Sequence, residues 1–422
     1  MNKGRIFDIS SGVRLLWLPT KKFHVARLEL NFIAPQVLAK TTSRRLLANL
    51  WQRSSASYPT ELLLSRRLSA LYGTELTAKT ELWQNLNVLT VVMTSPLRYQ
   101  TTDIFKEALQ LTLDNIFYPN LNARKDQFQE SAFLFEQNNL ANAYLSLEDD
   151  YALKAALAMR RLLYQSNPDL AVPAFGRAQD LEALNPGNLF AQAQDVLTTN
   201  GIIATVVGDV APGTIEKLGK DLAQFAANYQ AIQYQQRRLI TFPTVPIKAQ
   251  ETLPLQQSQL AISYHWIQPL SKAVVQVLNM ILGGDDQALL FQEVREGAGL
   301  AYSIYSTVNF YQKFLTIQAG VDAQKLSETQ DLIAKQIKSL AQRVTPEQLH
   351  HAQQALLNKF LIATDSIASH NRRLLAQALT RKEPVALIQY RNQILQVTAD
   401  QIQTAAQSLS LVAEYQLLGA DH

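Results

Sequence analysis

The sequence predicts two tandem α+β domains of like fold, closing on each other like a clamshell. Three observations carry this prediction. An ungapped internal match at an offset of 226 places Leu64, Leu68, Gly73 and Val88-Leu89-Thr90-Val91 on Leu290, Val294, Gly299 and Phe314-Leu315-Thr316-Ile317. A stretch rich in Gln and Pro, 226–250, interrupts the pattern and predicts an interdomain linker. Each half also closes on a strand, Gly201-Ile-Ile-Ala-Thr-Val-Val-Gly208 in the first and Leu411 to Leu418 in the second. A repeat of about 200 residues is too long for a solenoid unit, so the halves are expected to be whole domains, 1–225 and 251–422.

The elements follow in order. Arg5 to Ile9 and Val13 to Leu18 flank a Ser10-Ser11-Gly12 turn and predict a hairpin. Val25 to Ile33 predicts a strand with Leu28, Leu30 and Phe32 on one face, because alternate residues of a strand share a face. Residues 40–53 predict a helix, with Leu46, Leu47 and Leu50 at helical spacing. Pro59 opens a second helix, which Tyr72-Gly73 ends. Glu75 to Thr94 predicts two strands, and 100–195 predicts long helices. Past the linker the order returns. Leu260 to Trp266 is a strand and Lys272 to Leu282 a helix, and a further helix runs to a stop at Gly299. A polar and aromatic hairpin follows, then a β-rich strand, helices over 323–409 and the closing strand.

Composition narrows the function classes. Hydrophobic residues make up 47% of the 422 and charged residues 18%, which supports a large core and argues against disorder. The net charge of +4 is spread over scattered pairs such as Arg44-Arg45 and Arg372-Arg373. A nucleic-acid footprint would concentrate that charge on one element, so no nucleic-acid partner is expected. The absence of cysteine excludes disulfides, cysteine zinc sites and cysteine nucleophiles. The opening Met1-Asn2-Lys3-Gly4-Arg5-Ile6-Phe7-Asp8 has no apolar core behind it, and no run approaches the roughly 18 apolar residues that span a bilayer. No membrane association is expected, and the expected location is the cytoplasm.

The stretch Leu290-Phe-Gln-Glu-Val-Arg-Glu-Gly-Ala-Gly-Leu-Ala-Tyr302-Ser303, set in two tandem α+β domains, resembles the C-terminal domain motif of the pitrilysin/insulinase-like family, the peptidases with an inverted zinc motif. Asn200 to Asp209 is similar to the strand that closes that family's first domain. The resemblance implies a metallopeptidase fold whose chemistry rests on His-x-x-Glu-His on a helix. There, i and i+4 imidazoles share one zinc and the Glu activates its water. In family members this helix precedes a Gly-Thr-x-x-Tyr-Pro-like loop, whose place is taken here by Ser54-Ser55-Ala56-Ser57-Tyr58-Pro59. Counting back, the motif positions hold Arg45-Leu46-Leu47-Ala48-Asn49. Arg45 and Asn49 replace both ligands and Ala48 replaces the base; a guanidinium has no lone pair to offer a metal. The resemblance also implies a third, Glu ligand on the helix around 124–140, where Glu130 and Glu136 are the candidates. One carboxylate cannot hold zinc unaided, so no metal and no other cofactor is expected.

The second half keeps what the first has lost. The resemblance implies that Arg295 and Tyr302, seven residues apart, engage the substrate backbone and the reacting carbonyl. A guanidinium offers five fixed donors, and a phenol can support a developing oxyanion. A zinc-less chain with this pair implies a partner: in some bacterial members a zinc-bearing chain pairs with a chain of this type. The group in Gram-positive bacteria is linked to maturation of a modified lysine on elongation factor P. The expectation is a protein that is not an enzyme by itself. It engages a peptide or protein substrate by strand addition to a sheet edge and forms a heterodimer with a zinc-bearing insulinase-like paralogue. The alternative is a peptide-binding or scaffold protein with no role in cleavage. Other motifs carry less. Gly297-x-Gly299 ends a helix instead of opening one and lacks a third glycine. His350-His351 point about 100° apart on a helix, and Gly283-Gly284-Asp285-Asp286 is a turn.

Overall fold

The computed structural model describes residues 4–225 and 240–419. The first half runs β1 (Arg5–Ser10), β2 (Val13–Leu18), β3 (Val25–Pro35), α1 (Leu38–Trp51), α2 (Glu61–Ala70), β4 (Glu75–Trp83), β5 (Leu86–Pro96), α3 (Ile104–Phe117), α4 (Glu130–Glu148), α5 (Tyr151–Leu163), α6 (Pro186–Thr199), β6 (Gly201–Val207) and α7 (Pro212–Phe225), short turns aside. The second runs β7 (Ile247–Leu253), β8 (Ser258–Trp266), α8 (Lys272–Gly283), α9 (Leu290–Gly297), β9 (Ala301–Asn309), β10 (Phe314–Val321), α10 (Leu326–Gln342), α11 (Pro346–Thr364), α12 (Ile367–Thr380), α13 (Leu387–Leu395), α14 (Ala399–Gln407) and β11 (Leu409–Gly419).

The repeat read from the sequence is a repeat of topology. One sheet has the order β1-β2-β6-β3-β5-β4 and the other β7-β11-β8-β10-β9. Apart from the added β1, the two orders match strand for strand, and so do the directions. β2 pairs with β6 in parallel, as β7 does with β11, and the remaining neighbours are antiparallel. Gly73 and Gly299, paired by the offset of 226, both take positive φ, 75° and 62°, a conformation that costs glycine little. Most of the predicted linker, 226–239, lies outside the described residues. Residues 247–250, read from the sequence as linker, form the first part of β7. This strand lies at a sheet edge beside β11 alone, so its Lys248 and Gln250 face solvent and polar residues are tolerated there.

The chain folds into two compact units, and neither is contiguous. The first takes the chain up to Leu145, from Val172 through α7, and from Thr364 to Pro384; the second takes Ser146 to Ala171, Ile240 to Ala363, and Val385 onward. The boundaries at 225 and 251 therefore separate the sheets but not the units. The reason lies in two helices. In the first unit, α12 lays Leu374, Leu375, Ala378 and Leu379 on Leu16, Ile33, Val88, Ile203 and Val207. Asn371 Nδ2 on the same helix donates to Thr205 O at 3.0 Å and to Thr205 Oγ1 at 2.9 Å. In the second unit, α5 lays Ala155, Ala158, Met159 and Leu163 on Ala261, Ala413, Tyr415 and Leu417. Each sheet thus has a face covered by a helix from the other half of the sequence. On the other face of the first sheet lies α1, which explains why β3 and β6 are buried almost throughout.

Candidate functional site

Helix α1 carries the positions where a zinc motif was expected. Arg44 and Arg45 sit side by side but do different things, since successive helical residues point about 100° apart. Arg44 is wholly buried. Its Nε donates to Asn87 Oδ1 at 2.7 Å, Nη1 to Asn200 Oδ1 at 2.5 Å and Nη2 to the Phe32 carbonyl at 2.7 Å. It fastens α1 to β3 and β5, and burial pushes its guanidinium down to about 10. Arg45 faces α4 instead. Burial lowers its guanidinium, and Tyr144 and Glu136 of α4 partly offset that. Ala48 is fully buried. Asn49 is buried too, with its Oδ1 taking no hydrogen bond.

The two carboxylate candidates on α4 separate cleanly. Glu130 is exposed at the start of the helix. Glu136, one and a half turns on, is buried and lies toward Arg45. Burial pushes its carboxyl above the ordinary range, and Arg53, with Nε 3.5 Å from Glu136 Oε1, pulls it back. Arg53 also bonds Glu61 through Nη1, so one guanidinium joins two carboxylates. The side chains at the expected metal position are therefore a guanidinium, a methyl, a carboxamide and one carboxylate. That set does not fit zinc, which needs three or four neutral nitrogen or anionic donors. Among the described residues no group of three His, Asp or Glu side chains is placed to hold an ion.

Arg295 and Tyr302 lie in the second unit. Helix α9 is wound wide: Ala298 N–H reaches back five residues to Glu293 O at 3.1 Å, a π-type turn. Arg295 sits in it with its guanidinium 4.6 Å from the Phe291 ring centre and its Nε 3.6 Å from Glu296 Oε1. Tyr302 is at the start of β9 and 60% exposed. Its hydroxyl donates to Asp322 Oδ1 at 2.9 Å, and that bond raises the phenol above its usual value. Lys325 Nζ, 3.6 Å from Asp322 Oδ2, donates to Gly299 O at 3.1 Å and ties the same corner to the glycine stop. Arg295 and Tyr302 thus have different partners and both reach solvent. β9 is the edge of its sheet, bonded to β10 alone, and Tyr302, Ser303, Tyr305 and Thr307 are its exposed side chains. What this arrangement can do chemically is take an extended backbone at an edge flanked by a cation and a phenol.

Sequence reasoning missed Asp322, which lies 20 residues beyond Tyr302 in the next loop, and the bridging role of Arg53. Neither belongs to a local pattern. Asp322 closes the strand that follows the hairpin, and that placement was the one available signal.

The fold is that of the M16-like metallopeptidases. The family model described as "Peptidase M16 inactive domain" matches residues 183–356. A relative in Bacillus subtilis (strain 168), named "Probable inactive metalloprotease YmfF", is 24% identical over 418 residues and spans 95% of both chains. A Helicobacter pylori relative, "Non-peptidase homolog YmxG", is 24% identical over 260 residues, 58% of this chain and 57% of that one. Among solved structures, a conserved protein from Enterococcus faecalis V583 superposes with a TM-score of 0.92 at 24% identity over the whole of both chains. The chain is thus similar to M16-like inactive peptidase homologues, with the family match lying on residues 183–356.

Proposed function

We propose that this chain is the non-catalytic, substrate-engaging subunit of a heterodimeric peptidase-like complex in the cytoplasm, completed by a zinc-bearing paralogue. The carrying observation is the contrast between two helices. On α1 the positions aligned with the zinc motif hold Arg45, Ala48 and Asn49, while on α9 and the edge strand β9 Arg295 and Tyr302 are open to solvent. A chain that binds substrate backbone but lacks a metal would need the metal from elsewhere. The names of the Bacillus and Helicobacter relatives, an inactive metalloprotease and a non-peptidase homologue, agree with a subunit that does not cleave by itself. The family resemblance adds a role in elongation factor P modification as the proposed setting. Among the described residues no helix is long and apolar enough to cross a membrane.

The test measures metal content and peptidase activity for the chain alone, then after co-expression with a zinc-bearing paralogue from the same genome. The expected result is no activity alone and activity in a stable complex. Turnover should fall at least about tenfold in Arg295→Ala or Tyr302→Phe while assembly is retained. Chelator-sensitive cleavage by the single chain would overturn the proposal. The scaffold reading rests on the same exposed β9 edge, and it is distinguished by turnover in the complex that survives both substitutions.

A further inference from the structure

Beside the altered metal position lies a cavity of about 320 Å³, formed where the end of α1, the loop into α2 and the start of α4 meet. Its walls are apolar: Leu50, Pro59, Leu62 and Phe135. Leu62 and Phe135 stand exposed at its rim, 59% and 53% accessible, and need an explanation that core packing does not supply. Its charged groups are three: Arg53, Glu61 and Glu136. Arg53 bonds Glu61 and lies 3.5 Å from Glu136, so a single cation serves two carboxylates and the lining carries a net charge of −1. Arg45 faces Glu136 as well but does not line the cavity.

The carboxylate at the bottom is the less satisfied of the two. The Glu136 side chain is 2% exposed, and its one hydrogen bond, from Asn139 Nδ2 at 3.5 Å, and its contact with Arg53 both fall on Oε1. Both contacts are long for a carboxylate, and burial pushes the Glu136 carboxyl toward its neutral form. A donor with a positive charge would relieve both deficits together. An anion would not, because the guanidinium it needs is already engaged by two carboxylates.

We infer that this cavity is a binding site for a basic side chain, its alkyl stem against Leu62, Phe135 and Leu50 and its cationic end shared between Glu136 and Glu61. Long basic side chains are built for such a site, apolar along the stem and charged at the tip. The inference rests on the proposed peptide-binding role only for the source of that side chain, a lysine or arginine of an extended peptide. The cavity itself belongs to the first unit and needs no partner chain.

The test uses the full chain alone and the tripeptide acetyl-Gly-Lys-Gly-amide, with acetyl-Gly-norleucyl-Gly-amide as the uncharged counterpart of equal stem length, and reads binding by NMR titration. The lysine peptide should bind at least about fivefold tighter than the norleucine peptide, and that preference should vanish in Glu136→Gln and weaken in Glu61→Gln. Glu61 lies on the rim, so its variant keeps the test meaningful if replacing Glu136 disturbs the fold. Equal or tighter binding of the norleucine peptide, or a preference unchanged in both variants, overturns the inference. Turnover of the heterodimer does not enter this measurement. Absence of the lysine preference in the natural chain, beside an intact Arg295-dependent turnover, would therefore sink the cavity assignment and leave the proposed function standing.

Discussion

Arg44 and Arg45 show how far one position can separate two roles. Both are charged residues on a helix that faces a sheet, and the sequence offers no means of telling the anchored one from the other. The difference comes from Asn87, Asn200 and the Phe32 carbonyl, which surround Arg44 from strands and a helix end far along the chain. Removing Arg44 strands those partners in the core, so Arg44→Ala should cost about 3 kcal/mol or more in denaturant unfolding. Arg45→Ala should stay within about 1 kcal/mol, because its interactions with Tyr144 and Glu136 are partly solvent-screened. Similar costs for the two would show that Arg44 is not the anchor. Glu136 gives a pH signature. Its folded carboxyl titrates above the ordinary 4.5, so the native state holds the proton more tightly than the unfolded chain does. The resulting stabilisation is full below 4.5 and is lost as pH rises through the folded value. Glu136→Gln should flatten that decline in a series of urea unfolding curves, gaining on the natural chain toward neutral pH but not in acid. A decline that persists unchanged would mean that Arg53 outweighs burial.

Most of the elements were legible because hydrophobic period and glycine placement are local signals. The strand of Leu28, Leu30 and Phe32, the helix of Leu46, Leu47 and Leu50, and the stop at Gly299 all form where the pattern puts them. β7 was not legible, because an edge strand bonded on one side can be polar and its Lys248, Gln250 and Glu251 read as loop. The wide turn in α9 was not either, since a five-residue hydrogen bond has no composition of its own. The destination of α12 was hidden for another reason. Its apolar face is plain in the sequence, but a helical face does not name the sheet that will cover it. Leu375, 1% exposed on that face, packs on a sheet built from residues before 210. Leu375→Ala should therefore cost about 2–5 kcal/mol. The amides that lose hydrogen-exchange protection first should be those of β6 and β3, far earlier in the chain. Loss confined to the second sheet would contradict the packing.

At the scale of the molecule the sequence disclosed two domains and the repeat that relates them; it did not disclose that the units interleave along the chain. Tyr302 was singled out in the sequence, and its hydrogen-bond partner Asp322 was not. Interleaving has a direct test. A fragment of residues 1–225 contains all six strands of the first sheet but lacks α12, so it leaves the covered face of β6 and β3 to water. Such a fragment should show no cooperative unfolding transition alone and should regain one when mixed with residues 240–422. A fragment that melts cooperatively by itself would show that α12 is dispensable.

The two exchanged helices also bear on how such a chain could have arisen. The topology of each half is one strand order with one helix surrendered, and the surrendered helix fills the same place in the opposite sheet. A lone ancestral half would have had that place empty and a helix with nowhere to lie. Two copies of it could satisfy each other by trading, which is domain swapping in a homodimer. Joining the copies end to end would leave each trade intact and make it permanent. Once a single polypeptide holds both copies, their sequences are free to diverge.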